Sequence, residues 1–317
     1  MRTLLTGASG FVGPYVVASL RQLCGDIDVL ATAKAAAMHA SIGPIESLDI
    51  TDKAAIAITI RRFMPTCIIH LAGIAAPMTA NSNPGEAWQI HVEGTLNLAH
   101  SILTHAPECV LVFVGSGLVY GASANSGLPL DETALLDPMD DYAVTKAAAD
   151  LALGALARRG LKCIRLRPFN HTGPGQDISF VVPGFAMQIA RIEAGIQPPL
   201  MHIGNLDSKR DFLDVRDVAV AYVLAAKKAA ELRSGIILNI ASGTAFRIRD
   251  LLDRLLALSS AQIQIEQDQA RMRPVDLPHI AGDASLARRL LAWVPQYDMD
   301  ATLRDVLADC RNRTRKS

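Results

Sequence analysis

Tyr142 and Lys146 stand four residues apart at the start of a stretch, Tyr142–Arg159, whose apolar residues recur at three- and four-residue steps. On a helix that spacing puts a phenol and an ammonium on one face. A neighbouring cation favours phenolate, so the expectation is a tyrosine pKa drawn down from about 10 toward the working range of an acid–base catalyst. Such a group can donate a proton to a carbonyl oxygen. A third group comes from upstream. The run Val110–Val114 ends at Gly115-Ser116, which puts Ser116 at the C-terminal edge of a strand, where open α/β sheets bind ligands, and where its hydroxyl can bond the same oxygen. Singly, these residues also read as a helix-surface pair and a strand-end cap. Together they point to catalysis.

The N-terminal segment supplies a partner for that chemistry. Thr3-Leu-Leu-Thr6 reads as a buried strand, and Gly7-Ala-Ser-Gly10-Phe11-Val12-Gly13 leads from it into a helix. Gly7 permits a tight turn, Gly10 lets backbone N–H groups approach a pyrophosphate, and Gly13 permits close helix-to-strand packing, while the helix N-terminus adds partial positive charge. A dinucleotide is the ligand this loop suits, and a nicotinamide dinucleotide is the one that reacts beside a proton donor. Such sites usually carry an acidic residue after the second strand for the adenosine ribose. Val29-Leu-Ala-Thr32-Ala-Lys34 has none. Thr32 and Lys34 can accommodate a 2′-phosphate instead, which favours NADPH and leaves NADH open; a solvated lysine is the other reading of Lys34. Leu48-Asp49-Ile50 offers Asp49 either to the adenine amino group or to a turn of its own.

These groups need elements to hold them. Short apolar runs at Arg2–Thr6, Asp28–Thr32, Cys67–Leu71, Val110–Val114 and Lys162–Leu166 alternate with helical periodicity at Gly13–Leu23, Ala54–Phe63, Glu86–His105 and Tyr142–Arg159. That alternation predicts βαβ units and a Rossmann-type, doubly wound parallel sheet covered on both faces. After Arg167 the rhythm breaks at the turn-rich Pro168–Gly175. Helices are expected at Pro183–Ala194 and Asp217–Ala230, with extended pieces at Leu200–Ile203 and Ile236–Ile240, and small α+β structure over Arg247–Leu258, Gln262–Glu266 and Ala284–Trp293. Residues 1–170 plus 212–241 are therefore expected to form the dinucleotide-binding part, and residues 171–211 plus 242–317 a smaller α+β substrate-binding part.

Composition bounds the partners. The chain has 317 residues, half of them hydrophobic, and its 31 basic residues balance 31 acidic ones, so no global field favours nucleic acid or an anionic membrane. The five cysteines have neither metal-ligand nor redox-pair spacing and read as reduced thiols. No apolar run is long enough to span a bilayer, and Met1 leads directly into a strand, so a cytoplasmic protein without a bound metal is expected.

In combination, Thr6–Gly13, Leu48-Asp-Ile50, His70-Leu71-Ala72-Gly73, Gly94-Thr95, Ser116 with Tyr120-Gly121, and Tyr142-x-x-x-Lys146 resemble the extended short-chain dehydrogenase/reductase family. The resemblance implies a Rossmann domain with a smaller nucleotide-sugar domain, cofactor contacts from Leu71, Ala72 and Gly73, and a homodimer built on two helices per subunit. Arg167–Gln176, Arg210–Asp217 and Arg273-Pro-Val-Asp276 are similar to the branch that reduces the C4 ketone of a GDP-4-keto-6-deoxyhexose, giving an alcohol such as GDP-D-rhamnose. Carried over, Asn170 lies near the substrate diphosphate, Arg210 and Arg273 pair with its phosphates, and Asp276 binds a nucleoside hydroxyl or positions Arg273. The related 4,6-dehydratases carry an acid two residues before the tyrosine matching Tyr120. Here Leu118 stands there, and leucine has no proton to give. Relatives usually have asparagine at the position of His91, and several GDP-sugar enzymes have lysine at that of Met187; both read here as core packing. A 4-epimerase with bound NAD and a cofactor-sensing regulator on the same fold are the rival readings.

Overall fold

Main-chain alternation decides how the sheet is covered. In the computed structural model, which describes residues 1–25, 27–271 and 277–315, the strands β1 (Arg2–Thr6), β2 (Asp28–Ala33), β3 (Ala37–His39), β4 (Gly43–Ser47), β5 (Cys67–His70), β6 (Val110–Val114), β7 (Cys163–Pro168) and β11 (Ile236–Ile240) form one sheet. Its order is β11-β7-β6-β5-β1-β2-β4-β3, parallel throughout except for the antiparallel edge pair β3–β4. In register across the centre, Leu4, Ile68 and Leu111 turn to one face and Leu5, Ile69 and Val112 to the other. The first set packs against Ile56, Ile60, Leu98, Ile102 and Leu153, from the helices Lys53–Phe63, Thr95–His105 and Asp141–Ala157. The second packs against Val16, Leu20, Ala219 and Tyr222, from the helices Gly13–Cys24 and Val215–Lys227. Strands buried on both sides explain why their sequences are nearly all apolar.

The expected single helix Glu86–His105 is instead three pieces: Pro84–Ala87, a π-helical turn at Trp88–Gly94, and Thr95–His105. A π turn accommodates an extra residue and commonly marks a functional site. Here it sets His91 between the loop after β5 and the helix Asp141–Ala157.

A second core lies beyond the sheet. Helices Val181–Glu193, Ile248–Ala257 and Met299–Thr314 bury Phe185, Ile189, Leu251, Leu255, Leu303 and Leu307 together, beside β9 (Leu200–Ile203) paired with β13 (Gln264–Gln267). The last helix lies beyond the elements expected from sequence, although Leu303, Val306, Leu307 and Cys310 have helical spacing and Asp298 caps its start at Ala301 N, 2.6 Å. The two parts meet where β8 (Asn170–Thr172) pairs with β10 (Lys209–Asp214), which also pairs with β12 (Ala245–Arg247) and β14 (His279–Ile280). Residues 284–293 pack by Ala287, Leu291 and Trp293 into the first core rather than the second, to which their place in the chain assigned them. The five cysteines are unpaired thiols, and no described helix is long and apolar enough to cross a membrane.

Candidate active site

The strand order reverses direction on either side of β1, so the loops leaving β1 and β5 face each other across a crevice at the C-terminal sheet edge. That crevice is a cavity of about 540 Å³. The glycines earn their places by contact distance. Gly7 has φ +69°, and a Cβ on it would come within 2.6 Å of Ala72 N; a Cβ on Gly13 would come within 2.0 Å of Ala8 O. Gly7 therefore lets the loop press against the one after β5, and Gly13 lets the helix Gly13–Cys24 start hard against Ala8 of the loop. That helix has no side-chain cap and no acidic residue in its first turn, so its N-terminal donors are not neutralised from within. Gly10, Phe11, Val12, Leu71, Ala72 and Gly73 line the cavity around it. Gly10 N donates to Gly7 O and Gly13 N to Gly10 O, which shapes the turn; the uncapped positive helix end and an approach that a Cβ would fill fit a dinucleotide pyrophosphate.

At the outer end, the expectation for Thr32 is corrected. Its side chain is buried and donates to Leu5 O at 3.1 Å, so it serves the β1–β2 pairing and does not line the cavity. A threonine on a strand covered on both faces satisfies its hydroxyl inside the fold. Lys34, one residue past the strand, is exposed and lines the cavity with Asp49 and Ile50. The Asp49 carboxylate accepts from Thr51 N at 2.9 Å and Thr51 Oγ1 at 2.7 Å, a turn of its own. Those bonds lead the causes that hold its pKa below the usual carboxylate value, and Lys34 adds to them. Ile50 packs where a Cβ on Gly94 would sit, which gives Gly94 its reason.

At the inner end, Ser116, Tyr142 and Lys146 line the same cavity. Asp140 caps the helix at Ala143 N, 2.8 Å, and Asn81 accepts from Tyr142 N at 2.9 Å, so side chains satisfy the first orphan amides and fix the helix start. The expected lowering of the Tyr142 pKa is corrected: its net shift is upward, and burial, not Lys146, sets it. Burial raises the Tyr142 pKa, a hydrogen bond with Ser116 opposes the rise, and Asp140 adds to it. The Lys146 ammonium instead donates to Val114 O at 3.2 Å and lies 5.8 Å from the centre of the Phe113 ring. Burial pushes its pKa down to about 8. Tyr142 is thus held as a neutral phenol, the form that donates.

His91 is buried and satisfied. Nε2 accepts from Ile74 N at 2.9 Å, Nδ1 meets Thr145 Oγ1 at 2.8 Å, and the ring stands edge-on to Tyr142 with centroids 5.6 Å apart. Burial and then the Lys146 charge push its pKa down to about 3, so it bonds as a neutral imidazole. Asn81 and Thr145 were missed from sequence because their partners are remote in the chain. Leu118 reaches the cavity wall beside Tyr142 as an apolar side chain, with no carboxyl where an eliminating enzyme needs one. Asn170, on β8, and Arg210, on β10, both line the cavity toward the second core. Asn170 is in register with Phe212, two residues from Arg210, whose guanidinium donates to Lys209 O at 2.8 Å. Met187 is buried in the second core and accepts a contact from Thr314 Oγ1 at 3.5 Å. Arg273 and Asp276 lie outside the described residues.

The chain is similar over its length to known proteins. GDP-6-deoxy-D-mannose reductase of Pseudomonas aeruginosa is 33% identical over 316 residues, covering 99% of this chain and 99% of that protein. GDP-6-deoxy-D-talose 4-dehydrogenase of Aggregatibacter actinomycetemcomitans is 29% identical over 90% of this chain and 89% of that protein. The solved structure of RMD from Pseudomonas aeruginosa complexed with NADPH superposes with a TM-score of 0.85 at 30% identity, covering 98% and 99% of the two chains. UDP-glucose-4-epimerase from Stenotrophomonas maltophila with bound NAD gives 0.87 at 25% identity over the full length of both. The model of the NAD dependent epimerase/dehydratase family matches residues 3–241, and the chain belongs to that family.

Proposed function

We propose that the protein reduces the C4 ketone of a GDP-4-keto-6-deoxyhexose with NADPH or NADH, forming an alcohol such as GDP-D-rhamnose. The observation that carries this reading is the joining of Ser116, Tyr142 and Lys146 to the glycine loop in one cavity whose wall offers leucine, not an acid, at position 118. A reduced nicotinamide, when bound, supplies the hydride. Ser116 orients the ketone oxygen, and Tyr142, neutral because it is buried, gives that oxygen its proton as the negative charge develops. Lys146 holds the nicotinamide ribose and sets positive charge near the phenolate that remains. Asn170 and Arg210 take the diphosphate side of the substrate, a role to which a guanidinium is suited. Lys34 favours the 2′-phosphate of NADPH. The part built on the second core receives the nucleotide sugar, and half-exposed Trp88 and exposed Leu151 suit a homodimer through the helices that carry them.

The test is oxidation of NADPH, with NADH in parallel, by purified protein given GDP-4-keto-6-deoxy-mannose. Consumption of one equivalent per ketone reduced is expected. No consumption, together with interconversion of nucleotide sugars on retained NAD, would replace this reading with a 4-epimerase.

The buried lysine gives the reaction a pH limit. Its ammonium is the working form, present below its lowered pKa and lost above it, whereas Tyr142 is moved the other way and stays protonated. The kcat/KM of the free enzyme is therefore expected to fall as pH rises through about 8. A flat profile of kcat/KM for the cofactor through that range would contradict the placement of Lys146.

A further inference from the structure

Tyr222 sits at the middle of the helix Val215–Lys227, on the sheet face opposite the helix that carries Tyr142. Its neighbours at helical spacing, Val218, Ala219, Ala225 and Ala226, are all buried aliphatics, so the position asks only for apolar volume. Phenylalanine would meet that demand. The residue is instead a fully buried tyrosine whose hydroxyl has no hydrogen-bond partner among the described residues. An unpaired buried hydroxyl costs folded-state stability, and native folds leave few of them. Such a group is explained when a ligand completes it.

The place of the hydroxyl narrows the ligand. Tyr222 lines the same cavity as Tyr142, with Val114, Pro168, Phe169 and Ile280 as apolar wall. Its helix packs against β6, which ends at the Val114 carbonyl that accepts from Lys146, and this puts it toward the reacting end of the crevice rather than at the end marked by Lys34 and Asp49. Burial raises its pKa, so it remains a neutral donor and acceptor. A charged phosphate finds no counter-charge in this wall, whereas a neutral amide offers both a carbonyl and an NH₂ group. A ketone held by Ser116 and Tyr142 lies on the side of the catalytic helix. A flat ring giving hydride to that ketone from one face stands between it and the face that carries Tyr222.

We propose that Tyr222 is a cofactor-binding residue whose hydroxyl bonds the carboxamide of the nicotinamide ring. The inference rests on the reading of the crevice as a nicotinamide dinucleotide site.

The test compares Tyr222→Phe with the parent by calorimetric binding of NADPH and of 2′-phospho-ADP-ribose, which lacks the nicotinamide. The expected result is a Kd for NADPH raised about five- to tenfold and an unchanged Kd for the truncated ligand. Ligand-free, the variant is expected to unfold at the same temperature as the parent or higher, because an unpaired buried oxygen has been removed. An unchanged Kd for NADPH overturns the proposal. So does equal weakening of both ligands, or a lower ligand-free unfolding temperature, either of which means that the hydroxyl serves the fold. A parent that binds neither of these ligands nor NADH overturns the cofactor reading itself.

Discussion

Replacing Tyr142 by phenylalanine is expected to lower kcat for ketone reduction by about 10²- to 10⁴-fold while leaving the Kd for NADPH within about twofold. The variant keeps the ring, which packs with Ala80, Ala87 and Leu118 and receives the edge of His91. It loses only the hydroxyl, whose acidity Ser116 moderates and which carries the proton. Ser116 alone can still orient the substrate oxygen, but it cannot replace the proton that the reduced carbon–oxygen bond requires. Stopped-flow oxidation of bound NADPH separates the two quantities, since binding quenches or shifts cofactor fluorescence before the chemical step. Turnover equal to the parent would remove Tyr142 from the mechanism.

The second large effect is on the scaffold that aims Tyr142 and Lys146. Asp150 follows them on the same helix at the next four-residue step and is completely buried. Its carboxylate accepts from Arg165 Nη1 at 2.8 Å, from Arg167 Nη2 at 3.0 Å and from Arg167 Nε at 3.1 Å. Arg167 also donates to Tyr120 Oη at 3.0 Å, and Tyr120 donates to Asn239 Oδ1 at 2.7 Å, so one buried network ties the catalytic helix to β7, β11 and the segment after Ser116. Asp150→Ala strands the buried Arg167 charge and is expected to cost about 3–5 kcal/mol of stability. Pairing it with Arg167→Met removes the stranded charge, so the double variant is expected to lose less than the sum of the singles. Chemical unfolding of the four proteins measures this; strict additivity would show that the pair is not coupled.

That network illustrates what could be read in advance. Arg167 was visible only as one letter in a motif shared with relatives, and Asp150 as one polar residue in a helix, because a pairing across strands and helices leaves no local period. Tyr120 was likewise a motif tyrosine with no evident task. The structure shows it to be a buried hydrogen-bond hub, not a residue of the cavity.

The sequence by itself determined the central strands and helices of the sheet and the chemistry that depends on short spacing. Alternating apolar runs required a parallel sheet covered on both faces, the glycines at 7, 10 and 13 required a tight strand-to-helix turn, and the step from Tyr142 to Lys146 put both on one helix face. These are local properties, set by backbone sterics and by the periods of strand and helix. Tertiary structure alone decided the rest. It turned Thr32 inward to Leu5 while leaving Lys34 at the cavity, raised the Tyr142 pKa where an adjacent lysine suggested a lower one, and brought Tyr222 to the cavity from the opposite sheet face. Each of those outcomes depends on which groups lose water and which remote partners replace it, and burial is a property of the packed chain, not of any segment of it.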